Sequence, residues 1–242
     1  MSNIRLDKLL SNLGYCSRKE AAALVKEGRL ILAGDRVKRA DQSIALADVK
    51  NGALTLDGEI LDPPPPLTVM LNKPAGYSCS HDEKGMLIYD LLPPRWQQRK
   101  PALSSIGRLD KESTGQLLLT DDGDLLHKVI HPKSHAAKQY EVTLAQPLRG
   151  DEKALFATGS FLMAGDTKPL KPAIWEPKSE NAGRMVLHEG RYHQIRRMFE
   201  TIGNKVTQLH RTQTGGLTLG DLAEGKYMVL CDEELSRIFS AD

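Results

Sequence analysis

The sequence predicts an α+β protein: a small, basic N-terminal α/β module followed by a larger domain with a mixed, largely antiparallel β-sheet and flanking helices. Three observations carry this. Four consecutive prolines, Pro63 to Pro66, interrupt the chain, and residues without an N–H and with a fixed φ favour a stiff, extended connection. Ahead of them lie two short helical patterns and an alternating stretch broken by a turn. Beyond them, β-like and helical segments follow one another without the regular βα repeat of a parallel sheet. The expected boundaries are residues 1–61 for the module, 62–66 for the linker and 67–242 for the large domain.

In the module, Leu6, Leu9, Leu10 and Leu13 recur at helical spacing, leaving Arg5 and Lys8 on other faces. Ser17 and Glu20 form an S-x-x-E capping box for a second helix, in which Ala22, Leu24 and Val25 supply apolar contacts and Gly28 closes the end. The segment "RLILAGDRV" alternates and turns at Gly34-Asp35, as a hairpin does. A unit of this size is near the lower limit for folding alone.

In the larger domain, "LTVMLNKP", "QLLLTD", "KQYEVTLA", "RMVLHEG" and "KYMVLC" read as strands. Helices are expected at "DLLHKVIH", "DEKALFATG" and "HQIRRMFETIG". In the last of these, a helix running from Tyr192 places Tyr192, Ile195 and Phe199 on one apolar stripe, with His193, Arg196 and Arg197 to either side.

Composition excludes several classes. With 242 residues, 40% of them apolar, the chain can bury a sizeable core. No apolar run approaches a membrane span, and "MSNIRLDKLL" is too polar for a signal peptide, so a cytoplasmic protein is expected. Cys16, Cys79 and Cys231 are odd in number and widely spaced, which argues for free thiols. The net charge of +2 is uneven: residues 1–40 carry nine Lys or Arg against four Asp or Glu, whereas residues 221–242 carry two against six. A basic module points to an anionic partner such as nucleic acid, or to a solvated helix face.

Three stretches concentrate unusual residues. In "IGRLDKESTGQLLLTDDG", Gly107 and Gly115 bracket Arg108 and Asp110 ahead of an apolar strand. Asp110 is either a cap or turn residue or a reactive carboxylate held out by the loop. In "EGRYHQIRRMFETIGNKV", Arg191, His193, Gln194, Arg196 and Arg197 crowd five hydrogen-bonding side chains into seven residues. That is either a basic surface helix or a site whose guanidinium forks suit phosphates and carboxylates. In "AAKQYEVTL", Tyr140 stands in an alternating strand. His127, His131 and His135 share a four-residue spacing, but Pro132 breaks their helix. Asp121 to Asp124 lack the spacing of an EF-hand, and neither a P-loop nor a dinucleotide fingerprint is present.

The first segment, "IRLDKLLSNLGYCSRKEAAALVKEGRLILAGDRVKRADQSI", resembles the S4 RNA-binding domain. By that resemblance Arg5, Lys8, Arg18, Lys19 and Arg29 would line a face against RNA phosphates. "GRLDKESTGQLLLTDDG", with "LNKPAGYSCS" upstream and "KQYEV" and "GRYHQIRRMF" downstream, resembles the RsuA family of ribosomal RNA pseudouridine synthases across essentially the whole chain. The resemblance implies isomerisation of a uridine to pseudouridine, most readily in small-subunit 16S rRNA, without cofactor or metal. It makes Asp110 the essential carboxylate, attacking the ribose C1′ or promoting loss of a ribose proton towards a glycal. Arg196 would keep it charged and aimed, and Tyr140 would stack on the flipped uracil. Ile195 would close the apolar side, and Arg108 would fill the vacated space or hold a phosphate. Lys73, Pro74 and Gly76 take a structural or RNA-contact role. Ser113 and Gln116 depart from the usual threonine and leucine, beside the motif. A monomer acting on rRNA within an assembling ribosomal subunit is expected. The rivals are a large-subunit enzyme, a non-catalytic assembly factor, and a metal-dependent nuclease using Asp121, Asp122 and Asp124.

Overall fold

The computed structural model describes residues 3–131 and 136–240, which divide into two compact units. The first comprises the chain up to Thr68 with Leu92–Ser104 and Thr120–Gly123. It contains β1 (Asn3–Arg5), α1 (Leu6–Asn12), α2 (Ala21–Lys26), β2 (Leu30–Leu32), β3 (Asp35–Arg36), β4 (Ser43–Ala45), α3 (Leu46–Lys50), β5 (Leu54–Leu56) and β6 (Glu59–Ile60). The leucine stripe holds: Leu6, Leu9, Leu10 and Leu13 are fully buried and pack with Leu30, Ile44 and Leu54. Ser17 and Glu20 make the reciprocal capping contacts, Glu20 Oε2 accepting from Ser17 N at 2.7 Å and Ser17 Oγ from Glu20 N at 3.3 Å.

Three details of the module differ from expectation. The buried alanine of α2 is Ala21, and Ala22 is exposed, so the apolar face lies one residue earlier. The hairpin turns at Ala33-Gly34, because Leu32 pairs with Asp35 and both turn residues have positive φ, as this tight turn requires. A second hairpin, β5–β6, turns in the same way at Asp57-Gly58 and completes a sheet of order β3-β2-β5-β6. Beyond β6, Pro63 O accepts from Arg99 Nη1 at 3.0 Å, and Arg99 Nη2 reaches Asp121 Oδ2 at 2.9 Å with both side chains fully buried.

The second unit spans Val69–Leu91, Ser105–Leu119 and Asp124–Asp242. Its sheet is formed by β7 (Thr68–Lys73), β8 (Ser104–Ser105), β9 (Thr114–Thr120), β10 (Lys138–Leu144), β11 (Ile174–Ser179), β12 (Ala182–Leu187), β13 (Val206–Thr214), β14 (Leu217–Thr218) and β15 (Tyr227–Val229). The helices are α4 (Gly123–Ile130), α5 (Glu152–Ala157), α6 (Gln194–Thr201) and α7 (Asp232–Arg237). The strand order is β11-β12-β10-β13-β9-β7-β15, with β14 on β13 and β8 on β9. β13 runs parallel to β9, whereas β10–β12, β10–β13, β11–β12, β13–β14 and β7–β15 are antiparallel. The fold is therefore α+β, with the mixed sheet expected. The five expected strands and three expected helices are all present, but β13, the nine-residue centre of the sheet, is absent from the sequence reading.

Helix α6 begins at Gln194, not Tyr192, because His193 takes the left-handed conformation with φ 49°. Tyr192 consequently leaves the apolar stripe and is 72% exposed. The buried face is Ile195, Met198 and Phe199, and the Phe199 ring packs edge-on against Trp175 and Phe156, with centroids 5.1 and 5.3 Å away. Burial of such a ring contributes about 1.5–3 kcal/mol and pins the helix to the sheet.

Gly115 sits opposite Arg211 where β9 and β13 run side by side. A Cβ on Gly115 would lie 2.2 Å from the Arg211 carbonyl oxygen, so only hydrogen fits. Gly107 also has a positive φ, of 71°, but faces open space. Gly115→Ala is expected to cost at least about 3 kcal/mol in denaturant unfolding, through overpacking and backbone strain together, whereas Gly107→Ala should cost about 1–2 kcal/mol from strain alone.

Candidate active site

Asp110 lies in the loop between β8 and β9, and a strand rather than a helix follows it, so its carboxylate caps nothing. The side chain keeps 27% of its surface exposed, at the wall of a cavity of about 210 Å³ lined also by Arg108, Lys138, Tyr140, His193, Ile195 and Arg211. That volume is below the ~300–1,000 Å³ of typical pockets for drug-sized ligands. It suits a single nucleoside better than a large cofactor.

Arg196, on the first turn of α6, directs Nε to Asp110 Oδ2 at 3.3 Å. Its Nη2 donates to Ser113 Oγ at 3.3 Å, and Nη1 donates to the Val206 carbonyl at 3.2 Å. Ser113 Oγ in turn donates to Asp110 Oδ2 at 3.4 Å. Ser113 is fully buried, so the residue read as lying beside the motif is a bridge within it. His193 Nε2 stands 3.4 Å from Asp110 Oδ1. Three groups from two separate segments thus surround one carboxylate and fix its direction.

The loop is held from beneath by Lys73. Its ammonium is fully buried and shares its three N–H groups among four carbonyl oxygens: Pro74 at 3.0 Å, Asp110 at 3.2 Å, Lys111 at 3.0 Å and Ser113 at 2.8 Å. Burial pulls the Lys73 pKa below its ordinary value. With no exposed surface, Lys73 is structural and offers nothing to RNA directly. Cys79 Sγ, also buried, donates to the Leu109 carbonyl at 3.4 Å and supports the same loop.

Tyr140 on β10 pairs with Arg211 on β13, and Arg211 pairs with Gly115 on β9. Paired residues project to one face, so Tyr140 and Arg211 both reach the cavity. The Arg211 side chain is nearly buried and donates from Nε to the Gln116 carbonyl at 2.6 Å. Ile195 supplies apolar wall, while Arg108 is exposed and makes no side-chain hydrogen bond or ion pair among the described residues. Lys138, read from the sequence only as a strand neighbour, also lines the cavity. Burial, and secondarily the Arg211 charge, push its pKa down to about 8.

The remaining arginines read as site residues are engaged. Arg191 donates to Asp166 Oδ2 at 2.9 Å and to the Lys168 and Pro169 carbonyls, and Arg197 donates to the other Asp166 oxygen. The Arg197 hydrogen bond, then that of Arg191, holds the Asp166 carboxyl below its usual range. Gln194 is buried, its Oε1 accepting from Arg191 N at 2.8 Å and its Nε2 donating to Glu189 at 3.2 Å. In the first unit, Arg5 and Arg18 both fork onto the buried Asp7, at 2.9 and 3.1 Å. Arg29 makes a two-pronged contact with Asp57 at 2.9 and 2.7 Å. Lys8 and Lys19 project to solvent.

Among the described residues no group of three or more His, Cys, Asp or Glu side chains is arranged to hold a metal ion. His135 lies outside the described residues. Asp121 is committed to Arg99 and to Leu67 N. No helix among the described residues is long and apolar enough to cross a membrane.

A family model described as RNA pseudouridylate synthase matches residues 68–201, and an S4 domain model matches residues 4–49. The chain belongs to the RNA pseudouridylate synthase family. It is 38% identical over 239 residues to an uncharacterized RNA pseudouridine synthase of Bacillus subtilis, covering 96% of this chain and 97% of that one. To the ribosomal small subunit pseudouridine synthase A of Escherichia coli K12 it is 37% identical over 240 residues, covering 97% and 100%. A crystal structure of a pseudouridylate synthase superposes with a TM-score of 0.67 at 34% identity, covering 97% and 99%. The chain is accordingly an isomerase carrying an S4 domain.

Lys138 provides a test of the cavity's electrostatics. Because folding lowers its pKa, the folded state holds fewer protons than the unfolded chain between about pH 8 and the ordinary lysine value of 10.5. Stability therefore rises with pH across that window, and the cost is fully present below it. Lys138→Met should stabilise the free protein at pH 7 by on the order of 1–2 kcal/mol, after discounting for solvent that still reaches the ammonium. Chemical denaturation at pH 7 and pH 10 checks this, the gain shrinking at the higher pH.

Proposed function

We propose that this enzyme isomerises a uridine of small-subunit ribosomal RNA to pseudouridine, with Asp110 as the reactive carboxylate and no cofactor. The reading is carried by Asp110 at the wall of a nucleoside-sized cavity, 3.3 Å from the Arg196 guanidinium, in a chain 37% identical over nearly its full length to relatives named ribosomal small subunit pseudouridine synthase A.

Asp110 acts on the ribose once the target nucleotide has left its stack, an extrusion that costs a few kcal/mol. Its carboxylate either bonds to C1′ as the N1–C1′ bond breaks or promotes loss of a ribose proton towards a glycal. The detached uracil turns; in the first route C5 displaces the carboxylate from C1′, and in the second C5 bonds to C1′ as the ribose proton held by the carboxylate returns to C2′. In both the C5 proton leaves, and N1 gains a proton. Composition is unchanged. Arg196 and Ser113 hold the carboxylate at the cavity, so little reorganisation is needed as charge moves. Tyr140 supplies a ring face for the uracil and Ile195 the apolar side opposite water. Arg108 supplies a guanidinium for a flanking phosphate or for the space left in the stack. In the S4 module, Arg5, Lys8, Arg18, Lys19 and Arg29 contribute phosphate contacts that position without reading sequence.

The test uses rRNA labelled with tritium at uracil C5. Wild type should release tritium without strand cleavage, with or without chelator, from small-subunit rather than large-subunit RNA. Asp110→Asn should lose at least about 10³-fold in rate. Arg196→Lys keeps the charge but not the fork, and should lose about 10²-fold in kcat with KM for RNA little changed. Undiminished release by Asp110→Asn would remove Asp110 from the reaction, and release only from large-subunit RNA would reassign the substrate.

A further inference from the structure

We propose that the stacked ring pair Tyr192–His193 is a binding ledge for the nucleobase next to the extruded uridine. The inference rests on the RNA-modifying reading above and adds a subsite to it. Of the exposed large apolar and aromatic residues among those described, Tyr192 is the most exposed, at 72%. Its hydroxyl has no hydrogen-bond partner among the described residues, so neither core packing nor a polar contact explains an aromatic ring at that position.

The ring is nevertheless ordered by its neighbour. Tyr192 and His193 lie nearly parallel, at 15°, with centroids 3.9 Å apart. His193 is itself fixed, in the left-handed conformation at the start of α6, with its carbonyl accepting from Arg197 N at 2.9 Å and its Nε2 3.4 Å from Asp110 Oδ1. One face of Tyr192 is thus covered by an imidazole that stands 3.4 Å from the reactive carboxylate, while the residue as a whole is 72% exposed. An exposed ring stacked on His193 and flanked in the chain by two residues that line the basic cavity, Arg191 and His193, is suited to hold an unpaired base, since every base has a π-face.

Geometry also supplies the need. When the uridine leaves its stack, the adjacent base loses its partner, and a neighbour along the strand lies one nucleotide from a C1′ held at Asp110. The Tyr192 face offers that base a replacement surface, and a purine, with its larger ring system, gains most. His193 makes the contact informative to the site, because the imidazole that supports the ledge also borders Asp110.

The closing experiment compares Tyr192→Phe and Tyr192→Leu in the full chain. Phenylalanine keeps the ring and leucine does not, and because the side chain is exposed neither change should alter the melting temperature. The first readout is fluorescence of a short single-stranded RNA with 2-aminopurine on both sides of one uridine, at saturating protein. Wild type and Tyr192→Phe should quench it through stacking, and Tyr192→Leu should not. The second is tritium release from rRNA, where Tyr192→Leu should raise KM by on the order of tenfold, more than it lowers kcat, with Tyr192→Phe restoring KM. Equal quenching by the leucine variant, or a KM within twofold of wild type, would overturn the ledge. Absence of tritium release by wild type would instead overturn the enzymatic reading, while quenching would still decide the ledge.

Discussion

The site depends on two parallel strands that approach more closely than any side chain larger than hydrogen allows. β9 and β13 run in the same direction, so their starting ends lie at the same edge of the sheet, and each is preceded by a segment that lines the cavity. The Asp110 loop feeds β9, and α6 is followed by β13. Residues 110 and 196, far apart in the chain, meet because Gly115 lets the Arg211 backbone pass at contact distance. The same register carries across to Tyr140 on β10, so one row of the sheet aligns the carboxylate's loop, a buried guanidinium and an aromatic ring.

Charge around this row is distributed by job. Asp110 faces Arg196, and the cavity adds Lys138 and Arg211, leaving it net attractive to a polyanion. On either side of Arg196, arginines do different work: Asp166 draws in Arg191, ahead of α6, and Arg197 on it, tying its own loop to the helix. In the N-terminal unit, Asp7 holds Arg5 and Arg18 together, and Asp57 does so for Arg29. In each case a carboxylate fixes the guanidinium's direction before any partner is met.

Much of this was legible in the amino-acid pattern, for physical reasons. The leucine stripe of α1, the apolar run of β9 and the glycine-bracketed Asp110 are each local signals, and their expected elements are present. β13 was not legible because "VTQLHRTQT" neither alternates nor is apolar. Its inward positions include Arg211 and Thr214, which only a polar cavity accommodates. Tyr192 was misassigned since helical phase was extended through His193, whose positive φ breaks it. Ser113 and Lys73 could not be ranked, because their value lies in contacts across 83 and 40 residues of chain. The Asp57-Gly58 turn, by contrast, was written plainly in the sequence as a hairpin signal and passed over.

Lys138 is a charge that folding carries into the cavity at a cost, since burial and the Arg211 charge push its pKa down to about 8. Its ammonium donates to the Ala136 carbonyl at 3.2 Å and, among the described residues, pairs with no carboxylate, so an arriving RNA phosphate supplies the counter-charge. Occupancy then relieves a repulsion that folding had to tolerate, so heat resistance and substrate capture draw on the same reserve and rise together by mass action.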